Sequence, residues 1–403
     1  MPPEPFTVRL RTLTPLWTGD ADGQCTRLLE SGILGSIRWW CEALIRALGG
    51  TACNPADKDN RCPDQRGRIC DACAIFGCTG WRRLFRLEIS EVDCVSTPTA
   101  PIIVSIRSKN RTRRRSRGEQ SQESQWYINS GLYGTFNLRL VPLRSPDWDK
   151  DGLWFELVKA ALWIAVKYGS LGARDQFGYG FADFIDPEQS ENCRQAVLSA
   201  EEAVKALTDR KREVRRKNIP DHISLPTLAR FSSYQFTLQK WDPLQGLQNY
   251  IDQRRSGNAF KEMVIKAGIA PCVPLLRYHL RALLRQNNND VERHRLLGKI
   301  LEGDSKASCV NFSFAYGSGT DWTCRIWVWL PDKVGRWKAA RCKSQLERWL
   351  IPRQEEGQFP DDAWQNWLYK KAELSCTTLF TCCDESGVWK NPLKRLKELA
   401  GER

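Results

Sequence analysis

Phe6-Thr7-Val8-Arg9-Leu10-Arg11 and, beyond a glycine-bearing loop over 19–34, Gly35-Ser36-Ile37-Arg38-Trp39-Trp40-Cys41-Glu42-Ala43-Leu44-Ile45-Arg46-Ala47-Leu48-Gly49-Gly50 decide the fold. In the first string apolar and polar residues alternate, the period of a strand with one buried face. In the second, Ile37, Trp40, Cys41, Leu44, Ile45 and Leu48 recur at spacings of three and four, which is one apolar stripe on a helix closed by the glycine pair. Gly35-Ser36 is read as the helix start.

Outward from this β-α beginning, a cysteine-rich insertion fills 51–80, and strands are expected near 82–94 and 133–143. A second helix, about 152–168, carries Trp154, Leu157, Val158, Ala161, Leu162 and Ala165 on one side. A glycine-punctuated turn at 169–180 leads to a short strand at Phe181 to Ile185, so the order is β-α-β-β-α-β. Residues 188–230 form a polar helical linker, and the order repeats from 231 to 403. A strand is expected at Tyr234 to Leu238, then helices through about 256–286. One strand is read through Val310, Phe312, Phe314 and Tyr316, and a glycine turn leads into Cys324, Ile326, Val328 and Leu330. Helical spacings return at 334–350 and 361–372, with a last strand at Thr377 to Thr381. The expected fold class is α+β: two tandem ferredoxin-like β-α-β-β-α-β domains, with a cysteine-rich zinc insertion (51–80) and a basic arm (105–125) in the first, 1–187. RNA-recognition modules use the same topology.

Composition bounds the function. The 403 residues are 41% hydrophobic and 27% charged, ordinary globular values that set aside collagen-like, wholly disordered and membrane-spanning classes. The longest apolar stretch, Leu153 to Val166, is interrupted by Glu156 and Lys159. Met1-Pro2-Pro3-Glu4-Pro5 has neither a basic n-region nor an apolar h-region, so a cytoplasmic place is expected, with the sixteen cysteines reduced or metal-bound. A net charge of +14 points to a polyanionic partner, with nucleic acid first.

Four features carry chemistry. Cys70-Asp71-Ala72-Cys73 has the spacing that brings two thiolates to one tetrahedral Zn²⁺, and Cys53 and Cys62 complete a structural four-thiolate site, with Cys78 as the alternative to one of them. Arg107, Lys109, Arg111, Arg113, Arg114, Arg115 and Arg117 form a basic arm or hairpin tip between two strands, suited to phosphate contact. Gly172, Gly178 and Gly180 surround Arg174, so that main-chain N–H groups and one guanidinium can approach a phosphate. Arg38 stands beside the expected helix start, a natural anion site, and Trp39 lies off the apolar stripe, where a base could stack on it.

Thr14-Pro15-Leu16-Trp17-Thr18-Gly19, Gly35-Ser36-Ile37-Arg38-Trp39-Trp40 and Ile75-Phe76-Gly77-Cys78-Thr79-Gly80-Trp81, with Gly178-Tyr179-Gly180, resemble the Cmr subunit 1 family. That family supplies the terminal RAMP subunit of the type III-B CRISPR effector complex. The resemblance is densest over residues 1–185. It implies two ferredoxin-like domains, no cleavage activity of the chain's own, and a place at the end of the filament near the 3′ end of the guide RNA. There the chain would contact other RAMP subunits and help hold the single-stranded target RNA. The long arginine arm has no counterpart in the family's common pattern. The rival reading is a metal-independent RAMP endoribonuclease that processes guide precursors, for which the chain offers His222, His279 and His294 as acid-base groups. A third is an assembly adaptor without RNA affinity.

Overall fold

The structure, a computed structural model, describes residues 2–55, 57–59, 61–106, 124–210, 225–286, 294, 296–298, 308–330, 333–334, 337–338, 373–382 and 391–401. It is a mixed α+β architecture. The first half runs β1 (Phe6–Thr12), α1 (Glu30–Ala47), α2 (Asp71–Phe76), β2 (Phe85–Thr97), β3 (Ile102–Ile106), β4 (Ser124–Ile128), β5 (Gly131–Pro142), α3 (Leu153–Tyr168) and β6 (Ala182–Phe184). Two helices follow, α4 (Pro187–Gln195) and α5 (Ala200–Asp209). The second half contains β7 (Phe231–Gln239), α6 (Pro243–Leu247), α7 (Gln253–Ala267), β8 (Ile269–Ala270), α8 (Val273–Gln286), β9 (Val310–Phe312), β10 (Ala315–Ser318) and β11 (Asp321–Trp329). Next come β12 (Lys333–Val334), β13 (Trp337–Lys338), β14 (Glu373–Thr381) and α9 (Pro392–Leu399).

The first sheet has the order β2-β5-β1-β6, with β1 antiparallel to both its neighbours. Val8 and Leu10 are fully buried while Arg9 and Arg11 are exposed, as the alternation requires. The second sheet has the order β14-β7-β11-β10-β8, with β9 also on β11. In each sheet the first strand of its half lies between the last strand and the one that precedes it in the ladder.

Several boundaries differ from expectation, each for a physical reason. Helix α1 begins at Glu30, so Gly35 and Ser36 lie inside it and Arg38 stands two turns from the start; it is not at an anion-binding helix end. The helix α3 is buried almost all round, because α1 packs on one side and α4 and α5 on the other. The 188–230 stretch is therefore more than a polar linker: Cys193, Val197, Ala203, Val204 and Leu207 bury a face against α3. The alternation from Val310 to Tyr316 is broken into two strands. Ser313 and Arg325 exchange hydrogen bonds there, and the Phe314 N–H donates to the Gly178 carbonyl. At 334, where helical spacing was expected, Val334 pairs with Trp337 across a two-stranded ribbon.

The halves meet through aromatic rings. Trp327 of β11 lies 5.3 Å from Trp40 and 5.5 Å from Trp39 of α1, and Phe231 lies 5.1 Å from Trp40. The indole N–H groups of Trp40 and Trp327 both donate to Ser170, to its carbonyl and its hydroxyl.

Candidate metal centre and nucleic-acid interface

The Sγ atoms of Cys53, Cys62, Cys70 and Cys73 lie within 4.8 Å of one another, and all four residues are buried. Helix α2 explains the pair from the C-x2-C knuckle: Cys70 caps it by accepting from the Cys73 N–H, which turns both sulfurs to one side. The loop returns Cys53 and Cys62 to the same point, where the Cys70 N–H donates to Cys62 Sγ at 3.2 Å and the Cys53 N–H to Cys70 Sγ at 3.4 Å. A tetrahedral site with metal–sulfur bonds of about 2.3 Å needs sulfurs about 3.8 Å apart. Cys53 and Cys73 are 3.7 Å apart. The four thiols thus fit a soft tetrahedral cation. Without one they share protons: hydrogen bonding to Cys62 holds the Cys53 thiol down, and Cys53 in turn holds Cys73 up. Cys78 stands outside the set, half-buried beside it, its thiol pushed up by burial.

Helix α1 grips this loop. The Arg38 Nη2 donates to Cys73 Sγ at 3.2 Å, Nη1 to the Gly77 carbonyl, and Nε to Glu42 at 2.8 Å. Arg46 binds the other carboxylate oxygen of Glu42 and the carbonyls of Ala52 and Cys53. Burial pushes the Glu42 carboxyl up, opposed by Arg46 and Arg38. On the far side Asp71 forms an ion pair with Arg210 at the end of α5, and both side chains are fully buried. Arg38 is therefore placed against a cysteine ligand, a partner 35 positions away that no local pattern announces. Trp39, half-buried, packs its ring on Trp40 and Trp327.

The glycine loop is built into the seam between the halves. Arg174 adopts a left-handed backbone (φ 62°), and its guanidinium carbon lies 3.5 Å from the centroid of the Trp17 ring. Gly172 and Gly180 are required by close approach: an added Cβ would lie 2.4 Å from the Trp17 carbonyl oxygen and 2.0 Å from that of Leu171. The Gly178 and Gly180 N–H groups donate to the Asp175 and Pro15 carbonyls. Those two are spent within the protein, and the Arg174 side chain stands as a candidate phosphate donor in this loop.

The basic arm with Arg107, Arg111, Arg113, Arg114, Arg115 and Arg117 lies outside the described residues, as does His222. Its roots are described: Ile106 pairs with Ser124 at the end of the β3–β4 ladder, so 107–123 connect the two strands of a hairpin. His279 stands on α8 with its ring 5.6 Å from Tyr278. Among the described residues no helix is long and apolar enough to cross a membrane.

No curated protein matches the chain. Among solved structures, Cmr1 from Pyrococcus furiosus in its apo form shows 12% identity at a TM-score of 0.40, covering 92% of this chain and 98% of that one. A chain of the type III-B Cmr-beta complex bound to cognate target RNA and AMPPnP shows 10% identity at a TM-score of 0.40, covering 85% and 97%. A chain of the Cmr-beta complex bound to cognate target RNA shows 10% identity at 0.36, covering 80% and 94%. The model of the RAMP superfamily matches residues 9–183, from β1 through both candidate sites to β6. Over those residues this chain is similar to the RAMP superfamily.

Proposed function

We propose that the chain is a non-catalytic, RNA-binding RAMP subunit of the Cmr1 kind in a type III-B CRISPR ribonucleoprotein. It would cap the complex near the 3′ end of the guide RNA and help hold single-stranded target RNA for antiviral defence. Both halves are read as ferredoxin-like domains, since in each sheet the first strand lies antiparallel between the last strand and another of its half, although the second sheet has two more strands. The cysteine cluster is read as a structural Zn²⁺ site, a closed four-thiolate set with no open position. Zinc would staple a loop rich in Asp, Lys and Arg that has little core of its own.

The observation that carries the reading is the fixed Arg174. In the RAMP-matched segment, the loop after α3 holds this guanidinium on Trp17, beside a seam lined by both halves. The sequence adds the basic arm, rooted in a hairpin of the same domain, and the tryptophan-bearing strings that resemble the family. A cation whose stem and backbone are fixed positions a phosphate at low entropic cost.

A gel shift with labelled single-stranded RNA in moderate salt tests this. The expected outcome is a retarded, uncut band. Replacing Arg113, Arg114 and Arg115 together by Ala should flatten log K against log salt by roughly 2. Cleavage that requires His222 or His279 would favour the endoribonuclease, and no shift at low salt would favour the protein-only adaptor.

A further inference from the structure

The sulfurs of the cysteine cluster are not served alike. Cys62 Sγ accepts from the Cys70 N–H, and Cys70 Sγ from the N–H groups of both Cys53 and Cys73. Cys73 Sγ takes its N–H bond from a side chain instead, the Arg38 guanidinium at 3.2 Å. The difference follows from α2. Cys73 lies past the helix cap, where main-chain donors are spent on carbonyls: the Ala74 N–H on that of Cys70, the Gly77 N–H on that of Cys73. A donor for this sulfur has to come from another element, and α1 supplies it.

Charge gives the contact weight. A divalent cation with four thiolates is left doubly negative, and all four cysteines are buried, so the excess sits in a dry site. Asp71 and Arg210 cancel one another. On α1, Arg38, Glu42 and Arg46 stand one turn apart in a single row, and Glu42 gives one carboxylate oxygen to each arginine. The row keeps one positive charge in excess. Its side chains are 23%, 6% and 14% exposed, so little solvent shares in the compensation. Arg46 spends its donors on Glu42 and on the carbonyls of Ala52, Cys53 and Pro226. Of the three, only Arg38 reaches a sulfur. Glu42 holds its Nε at 2.8 Å, which aims Nη1 and Nη2 at the Gly77 carbonyl and at Cys73.

We propose that Arg38 is a positioning residue of the metal centre: its hydrogen bond to Cys73 Sγ compensates the excess negative charge and sets how tightly the four thiolates hold Zn²⁺. This rests on the zinc reading above and deepens it, and it assigns Arg38 to the metal rather than to RNA. A charge-assisted bond from a guanidinium withdraws electron density from the sulfur and lowers the cost of keeping it ionised in a dry site. Glu42 is the orienting group behind it.

The test uses the full chain as the parent, Arg38→Gln, Arg38→Lys and Arg46→Gln. Zinc affinity is read by competition with a chromophoric chelator at neutral pH. The state of the sulfurs is read by loading Co²⁺ and recording the thiolate-to-cobalt charge-transfer band. Arg38→Gln should hold zinc about 10–100-fold more weakly and move the band to longer wavelength, since the sulfur gives up its electron more readily without the cation. Arg46→Gln cuts a comparable grip on the loop but touches no sulfur, so it should lower the melting temperature and leave the band in place. Arg38→Lys keeps a cationic donor, and its band and affinity should lie nearer the parent than those of Arg38→Gln. Unchanged zinc affinity or an unmoved band in Arg38→Gln, or an equal shift in Arg46→Gln, would overturn the proposal and leave the zinc site standing. Should Arg38→Gln fail to fold, Arg38→Lys decides: a folded Lys variant with the parent's band and affinity bears the proposal out, and one with a shifted band overturns it. A parent that takes up neither zinc nor cobalt overturns both readings.

Discussion

Replacing Arg210 by Met strikes the ion pair that ties α5 to the cysteine loop. Arg210 donates to Asp71 and to the carbonyls of Leu207 and Ile69, and the pair's side chains have no exposure. Asp71 would keep the Thr51 N–H and hydroxyl, at 2.5 and 2.8 Å, but lose the one fully buried cation the pair brings. Removing one partner of a buried pair costs about 3–5 kcal/mol, because an uncompensated charge stays in a dry site. For a cooperative unit of about 200 residues, each kcal/mol moves the midpoint by about 2–4 °C, so the expected fall is roughly 6–20 °C. Asp71 lies between the ligands Cys70 and Cys73, so zinc should also be lost to a chelator faster. Thermal unfolding followed by circular dichroism reads the first effect, and a colorimetric zinc-release assay reads the second. The double variant Asp71→Asn, Arg210→Met should recover part of the loss, since it leaves no buried charge. A single variant melting within 2 °C of the parent would refute the idea that this pair fastens the loop.

Purified from zinc-replete expression, the chain should hold one equivalent by elemental analysis, and chelation should lower its melting temperature. Acid should release the metal too, because protons compete for the thiolates, so retention is complete at neutral pH and lost as pH falls. Gly180→Ala should destabilise the fold by at least about 1–3 kcal/mol in urea titration, since φ is +87° and the new Cβ meets the Leu171 carbonyl. Gly35→Ala, inside α1 with nothing within 4 Å, should instead stabilise by about 0.5–1 kcal/mol.

What the sequence made legible is what depends on near neighbours. The buried face of β1, the stripe of α1 and the C-x2-C knuckle each need only a period or a spacing, and the structure has all of them. The start of α1 was misplaced because Gly35 looks like a breaker, although the helix already runs from Glu30 and Gly32 is packed into it, where a Cβ would lie 3.0 Å from Thr18. The strand β3 was unreadable for a different reason. Ile102-Ile103-Val104-Ser105-Ile106 is buried at every position but Ser105, packed with β4 against α7 and α8 of the second half, so it shows no alternation.

The site residues divide along the same line. The four cysteines were found because Cys62, Cys70 and Cys73 come within twelve positions and Cys53 lies nine residues upstream of them. The role of Arg38 was not, since its partner Cys73 is brought there by folding of the insertion onto α1. Trp39 was singled out because it misses the stripe that faces its own sheet. The structure shows what that criterion omits: a second half, whose Trp327 packs on the side the stripe leaves bare. In a two-half chain, an aromatic residue off the local core face has two claims on it, a ligand and the other half. Distance along the chain hides the second claim until both halves are in view.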